Sequence, residues 1–282
     1  MRTVKKKKMR PMAFVRKYGR IMLGGLILLT VLFLAIFAPA LASADPYLCD
    51  PTIKWLDPGS PGHPLGTDNL GRDVWAWIVY GARLSLIIPI GVQIMTVVIG
   101  TLIGLLCGYY PKVDAILMRV MEAFNAIPTL VITLLICEAL GRGVFNLMLG
   151  MALGGFIGVA RLVRGRVLSV RKEEYIECEK VMGASGLRTM FLHVLPACSN
   201  TLLVRFSTGL AGSLLSMIGL AFLSVGVPQD IPTWGLMVAI GRGMALLKPH
   251  LVLYPTLAIA ITTFGFAMLG DGMREVIGSG RS

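Results

Sequence analysis

Long apolar runs, separated by short polar stretches, make up most of this chain. A membrane-spanning helix needs about 20 consecutive, mostly apolar residues. Runs near that length cover residues 21–41, 84–108, 113–140, 146–163, 200–224 and 249–269. The pattern therefore predicts an all-α, polytopic membrane protein with about six transmembrane helices.

The composition supports a membrane protein and argues against a nucleic-acid-binding one. Of the 282 residues, 55% are hydrophobic and only 15% are charged, which is too apolar for a soluble chain of this length. The net charge is +12, but nine of the 27 Lys and Arg residues lie in the first 20 residues and seven more lie in residues 161–188. By the positive-inside rule both segments face the cytoplasm. We therefore expect cytoplasmic N and C termini, contact with the lipid bilayer and no nucleic-acid partner.

The same pattern divides the chain into segments. A basic cytoplasmic tail (1–20) precedes the first transmembrane helix (21–43) and an extracytoplasmic loop (44–82); a five-helix membrane core (83–275) carries a cytoplasmic loop at 165–198, and a short cytoplasmic tail (276–282) follows. The small residues Ala42, Ser43 and Ala44 imitate a signal-peptide cleavage site, but the apolar run before them is longer than a usual signal core. We expect the first helix to remain in the protein.

A polar, charged stretch from Arg171 to Pro196 interrupts the apolar pattern. Its many Glu, Lys and Arg residues cannot lie in hydrocarbon, so the stretch must face water or another protein. Glu173 and Glu174 favour a helix start, and Gly183 breaks that helix. A second short helix is predicted over residues 187–194, ending near Pro196. We expect a partner to dock here; the alternative is an ordinary amphipathic cytoplasmic loop.

The motif in this stretch resembles the EAA loop of ABC-importer permeases. Glu177, Gly183 and the pair Leu195-Pro196 keep the family spacing. Three positions depart from the motif, since Cys178 and Glu179 replace its two alanines and His193 replaces its isoleucine. The resemblance implies that this helix-turn-helix docks into a cytoplasmic ATPase. The residues that it implies in coupling are Glu173, Tyr175, Glu177, Cys178, Glu179, Met182, Gly183, Ala184, Leu195 and Pro196.

A second motif, from His63 to Val74, resembles the HPLGTD…GRDV signature of the dipeptide, oligopeptide and nickel permeases. Its signature residues are His63, Pro64, Gly66, Thr67, Asp68, Gly71, Arg72 and Asp73. The glycines allow turns, and the charged residues can cap and cross-link those turns. We expect a structural role at the mouth of the protein in preference to substrate contact.

Three further features lie in the membrane core. Pro128 is predicted to kink the third span or to restart its helix, either as a hinge near the pathway or as a plain kink. The glycines of the fourth span, Gly150, Gly154, Gly155 and Gly158, predict close helix packing. Residues 219–227, with Ser224 and Val225 as variations, and residues 232–235 resemble a family stretch. We expect an external re-entrant or interfacial segment there, with Trp234 at the headgroup level.

No catalytic constellation stands out. The chain contains no Walker-type loop, no His-Glu-x-x-His motif and no serine elbow, so we expect it not to be an enzyme. The histidines are too scattered to form one metal site, and the cysteine spacing fits no metal or redox motif. Four of the five cysteines, Cys107, Cys137, Cys178 and Cys198, are expected to act as small packing residues.

The resemblance implies the rest of the assembly. The chain would form a heterodimer with a sister permease, work with two cytoplasmic ATPases that hold ATP and Mg, and receive substrate from an extracytoplasmic binding protein, while binding no cofactor itself. It would import dipeptides or oligopeptides by alternating access across a bacterial or archaeal cytoplasmic membrane. Nickel or a metal chelate is the alternative substrate. An ion-coupled secondary carrier would need mid-membrane carboxylates, whereas Glu122 and Glu138 lie at the ends of a span.

Overall fold

A computed structural model describes residues 11–223 and 225–279, so half of the predicted basic tail, Ser224 and the last three residues lie outside it. The regular secondary structure of the described part is helical, apart from two isolated β-bridges in the loop before α3. The helices are α1 (Pro11–Ile36), α2 (Ala38–Leu41), α3 (Val74–Tyr109), α4 (Pro111–Asn125), α5 (Thr129–Leu140), α6 (Val144–Val170), α7 (Glu174–Val181), α8 (Gly186–Thr189), α9 (Leu195–Phe222), α10 (Trp234–Gly241) and α11 (His250–Ser279). Short 3₁₀ turns lie at Pro51–Ile53 and Arg242–Met244, and a π turn lies at Met190–Val194.

Five of these helical stretches are long and apolar enough to cross a membrane, and the bent pair α4–α5 gives a sixth if it counts as one span. The prediction of an all-α polytopic membrane protein is confirmed. Helix α3 begins at Val74, ten residues before the predicted start of the second span at residue 84, so the non-helical part of the long loop ends at Asp73. The reason is the cap: Asp73 Oδ1 accepts a hydrogen bond from Ala76 N at 2.7 Å, which starts the helix inside a Gly- and Asp-rich stretch.

The helix of the third predicted span, 113–140, restarts after Pro128, which is one of the two outcomes that the sequence predicts. Helices α4 and α5 meet at an angle of 86° on either side of Pro128. With 12 residues, α5 is about 18 Å long and cannot cross a hydrocarbon core of about 30 Å alone. It lies against α6, where Gly150 and Gly154 leave room for two α5 residues, Thr133 and Thr129.

The most extensive helix contact is the seam between α3 and α6. Along this seam, α3 presents three glycines spaced four residues apart, and α6 presents three valines with the same spacing that face them. These residues are Gly100, Gly104 and Gly108 on α3, and Val159, Val163 and Val167 on α6. A Cβ atom at Gly104 would lie 2.6 Å from the carbonyl oxygen of Ala160. In lipid, where helices gain little from hiding apolar surface, such close packing holds them together.

The remaining spans surround this seam. Helix α1 packs along α11, α11 packs along α9, and α9 packs against α3. The short helix α10 lies among α3, α9 and α11. Trp234, predicted at the headgroup level, is buried at the start of α10, where its Nε1 donates a hydrogen bond to the Ile78 carbonyl at 2.8 Å.

A single added methyl group at the seam tests its contribution. We expect Gly104→Ala to lower the free energy of unfolding by about 1–3 kcal/mol, because the new Cβ meets rigid backbone. The measurement is the thermal unfolding midpoint of the purified protein in detergent. Gly25→Ala on α1 is the control, since no atom lies within 4 Å of the added Cβ. Equal midpoints for the two variants would contradict the packing argument.

Candidate functional site

The segment Arg171–Pro196, here called the docking segment, carries the chain from α6 to α9. Its first helix, α7, ends at Val181, and Gly183 follows it as the break that the sequence predicts. There φ is +81°, and Ala184 N donates to Glu179 O at 3.1 Å. This is the hydrogen bond of a Schellman motif, which places a glycine in the left-handed region just after the helix.

The base of the docking segment is packed onto the end of the α3–α6 seam. Ile176, Met190 and Val194 are buried in one apolar cluster with residues of α3 and α6, such as Leu105 and Val167. Near this cluster, Arg171 Nη1 donates to the Gly108 carbonyl at 3.0 Å. The docking segment is therefore fixed to the bundle at its base.

The second predicted helix does not stop near Pro196; that prediction is wrong. Residues Gly186–Phe222 form one continuous helical stretch of 37 residues. The π turn Met190–Val194 closes with a hydrogen bond from Leu195 N to Met190 O, directly before the proline. Pro196 has no N–H to donate and needs room for its ring, and the wider π turn provides that room.

The outer part of the docking segment exposes apolar side chains around Gly183. Val181 is 89% exposed and Met182 is 74% exposed, and Leu187 and Leu192 are exposed as well. Apolar side chains gathered in this way on a polar loop are typical of a surface that binds another protein.

The other residues predicted to act in coupling are distributed between the surface and the base. Exposed residues are Glu173, Tyr175, Glu177, Cys178, Gly183 and Pro196, while Glu179, Ala184 and Leu195 are half-buried. Glu179 Oε1 lies 3.2 Å from His193 Nε2, which links α7 to the π turn. The prediction that Cys178 packs internally is wrong, since α7 turns it outwards; Cys107, Cys137 and Cys198 are buried.

At the other end of the bundle, Asp73 is the hub of the signature motif. Besides capping α3, its Oδ1 accepts a hydrogen bond from Ser43 Oγ at 3.0 Å, and its Oδ2 lies 2.8 Å from His63 Nδ1. Three separate parts of the chain thus meet at one buried carboxylate.

Arg72 forms the second centre of this motif. It is only 3% exposed, and its Nε lies 2.7 Å from Asp68 Oδ2. Its guanidinium stacks 3.8 Å from the ring of Trp77, and its Nη1 donates to the Gln229 carbonyl at 3.4 Å. The signature loop is therefore joined to the segment that precedes α10.

The other signature residues shape the loop. Thr67 is buried, accepts a hydrogen bond from Leu56 N at 3.0 Å and donates to the Ile53 carbonyl. Gly66 and Gly71 both have positive φ, and a side chain at either would collide with a backbone carbonyl. Pro64 is exposed. This geometry supports the predicted structural role of the motif.

The structure also contains a polar cavity that the sequence-based predictions missed. It has a volume of about 310 Å³ and lies between α3, α5, α6 and α9, with Gln93, Thr96, Thr129, Arg205 and Ser216 among its lining residues. The signal in the sequence is a series of polar and small residues at helical spacing along the fifth apolar run. Among the described residues, no group of three or more His, Cys, Asp or Glu side chains could hold a metal ion.

Comparison with known proteins assigns this arrangement to a family. Residues 100–281 match the inner membrane component of binding-protein-dependent transport systems. The chain belongs to this family. As a binding-protein-dependent permease, it is a multi-pass inner-membrane protein and the permease component of an ABC transport system that also contains an ATPase and a substrate-binding protein.

Curated relatives of this permease span nearly its whole length. A probable peptide ABC transporter permease protein of Sinorhizobium fredii is 39% identical over 261 residues, covering 93% of this chain and 89% of that protein. The oligopeptide transport system permease protein OppC of Bacillus subtilis is 32% identical over 257 residues, covering 91% and 84%. A putative peptide transport system permease protein of Brucella suis is 33% identical over 255 residues, covering 90% and 86%.

The hub carboxylate of the signature motif can be tested directly. We expect Asp73→Ala to lower the free energy of unfolding of the permease by about 3 kcal/mol, since it removes a helix cap and leaves buried donors unpaired. Thermal unfolding in detergent measures this. Asp230→Ala, at an exposed position, is the control and should leave the midpoint unchanged. A midpoint for Asp73→Ala equal to that of the control would show that the hub carries no stability.

Proposed function

We propose that this permease imports dipeptides or oligopeptides, driven by ATP, by alternating access. It forms a heterodimer with a sister permease, and two ATPase subunits hold ATP and Mg and perform the hydrolysis. The permease itself binds no cofactor and catalyses no reaction. Peptide as the substrate is supported by the names of its relatives, among them the OppC protein of Bacillus subtilis and dipeptide transport permeases.

One observation carries the coupling mechanism: the last part of the docking segment, from Gly186 onwards, and α9 form one continuous helical stretch. When the ATPases close on ATP, they move the exposed rim around Met182 and Gly183. Because α8, the π turn and α9 run on without a break, this movement reaches the part of α9 that lines the polar cavity. Opening and closing of the ATPase dimer thereby changes which side of the membrane the cavity faces.

A sister permease is supported by the polar cavity. Thr129 on α5 and Ser216 on α9 line it and are exposed, although both lie in membrane-spanning or broken-span helices. Polar groups at membrane depth face protein or water rather than lipid. A second permease subunit placed over the cavity would shield these groups and enclose the pathway between the two subunits.

The substrate assignment is tested by uptake measurements. In cells with and without this gene, we expect loss of labelled dipeptide or tripeptide uptake and no change in labelled nickel uptake. Vanadate, which blocks ABC ATPases, should abolish the peptide uptake. Loss of nickel uptake alone would contradict the peptide assignment, and vanadate-resistant uptake would point to a secondary carrier.

The docking assignment calls for a variant that does not disturb the fold. Gly183→Arg should abolish transport, but its positive φ makes any side chain there strained. Met182→Asp avoids this problem, because the side chain is already exposed. We expect it to weaken co-purification of the ATPase about tenfold or more, since a carboxylate replaces an apolar contact.

The matched control is Leu246→Asp, in the turn before α11. Leu246 is 100% exposed and lies outside the docking segment. This variant should keep normal ATPase co-purification. Equal retention of the ATPase by both variants would refute the docking role of the exposed rim.

A further inference from the structure

The face of α9 that borders the polar cavity carries polar and small residues at helical spacing. They are Thr201, Arg205, Thr208, Gly212 and Ser216. Steps of three or four residues place them on one side of the helix. Exposed leucines such as Leu203 and Leu215 occupy other positions of α9 and suit contact with lipid. The helix therefore has an aqueous face in addition to its apolar one.

The wall opposite this face contains buried polar atoms with unused hydrogen-bonding capacity. Gln93 and Thr96 of α3 line the same cavity and are 6% and 2% exposed. Gln93 Nε2 donates to Ser213 Oγ at 2.6 Å, but Gln93 Oε1 and Thr96 Oγ1 have no hydrogen-bond partner within the described residues. Buried polar atoms are almost always paired in native proteins, so these two atoms indicate a site for a polar ligand or for water.

Arg205 brings the only full charge among the side chains of this cavity. It is half-buried, and within the described part of the chain no carboxylate lies within 4.0 Å of its guanidinium. Arg205 approaches α6 at Gly158, which has no side chain that could pair with it. A Cβ added at Gly158 would lie 3.8 Å from Arg205 Nη2. A cation at membrane depth is costly and indicates a functional site by default. Its guanidinium is thus left available to an anion in the cavity.

The cavity continues towards the docking-segment end of the bundle. A second cavity, of about 280 Å³, shares Arg205 and Thr208 with the first and is also lined by Asn200 and Arg274. An anionic group that leaves Arg205 in this direction meets another cation. The two cavities together form a continuous passage along α9, whose charged lining residues, Arg205 and Arg274, are both positive.

We propose that Arg205 receives the C-terminal carboxylate of the peptide during its passage, while Gln93 and Thr96 hydrogen-bond to the peptide backbone. An arginine presents a planar fork of N–H donors that matches a carboxylate. Every unmodified peptide carries this carboxylate whatever its side chains, so the site admits many sequences. A free divalent cation such as Ni²⁺ is repelled at the same place. The inference rests on the proposed peptide import.

The test compares two labelled tripeptides of one sequence, one with a free C-terminal carboxylate and one with a C-terminal amide. They are chosen so that the wild-type transporter, reconstituted with its sister permease, ATPases and binding protein, imports both. For Arg205→Gln we expect uptake of the carboxylate peptide to fall about tenfold and uptake of the amide to change less than about twofold. Arg205→Lys, which keeps the charge but loses the fork, should give an intermediate loss of the carboxylate peptide.

Two controls separate this role from a structural one. Binding-protein-stimulated ATP hydrolysis by Arg205→Gln should stay at the wild-type level, which shows that the complex is assembled and coupled. Arg142→Gln, at an exposed arginine in the turn between α5 and α6, should transport both peptides normally.

The remaining outcomes overturn the inference in distinguishable ways. Equal loss of both peptides in Arg205→Gln would make Arg205 a structural residue or an anchor for a lipid phosphate. Normal uptake of both peptides would remove Arg205 from the pathway. If wild-type transporter imported no peptide at all, the proposed function itself would fail, whatever the variants do.

Discussion

The glycine–valine seam between α3 and α6 is the contact on which the rest of this permease depends. Lipid tails are as apolar as leucine, so spans gain little by merely hiding apolar surface from lipid. Glycines at 100, 104 and 108 let the two backbones approach until valine side chains fill the gap. Ile176 and Met190 of the docking segment pack against the end of the same seam. The packing of α3 against α6 therefore also fixes the position of the docking segment.

Hydrogen bonds to helix carbonyls satisfy some hydroxyl groups of the spans and leave others open. Several hydroxyls bond back to their own helix: Thr133 donates to the Thr129 carbonyl at 2.9 Å, and Thr262 donates to the Ala258 carbonyl at 2.8 Å. Such residues satisfy themselves and need no partner. Thr96 Oγ1 makes no such bond, although a helix offers it the same kind of carbonyl. Within the cavity itself the hydroxyls differ in the same way, since Thr208 Oγ1 donates to the Val204 carbonyl at 2.9 Å while Thr96 Oγ1 stays open to a ligand.

The sequence predicted the fold class, the spans and the break at Gly183, because apolar length and glycine chemistry are local properties. It failed where a tertiary or cap interaction overrides a local signal. The Gly and Asp content of the stretch before residue 84 predicts a loop, yet the Asp73 cap starts a helix at Val74. Pro196 reads as a helix end, yet a π turn carries the helix past it. The polar cavity could not be predicted from one helix, because its walls come from four.

The two ends of α9 are held by different contacts, and this difference allows the helix to tilt as a rigid body. At its start the helix is packed on the seam through the π turn, the one place in the stretch Gly186–Phe222 where the regular hydrogen-bond pattern changes. Beyond its far end, the chain that leads to α10 is joined to the signature loop by Arg72 and the Gln229 carbonyl. The loop that carries the signature motif is in turn joined to the turn before α11 by Asp57 and Lys248, whose Nζ lies 2.5 Å from the carboxylate.

A displacement of the docking segment is thus taken up either at the π turn or by α9 tilting about its restrained far end. Because the cavity lies between these two points, tilting of α9 changes the width of the cavity while the signature loop keeps its shape.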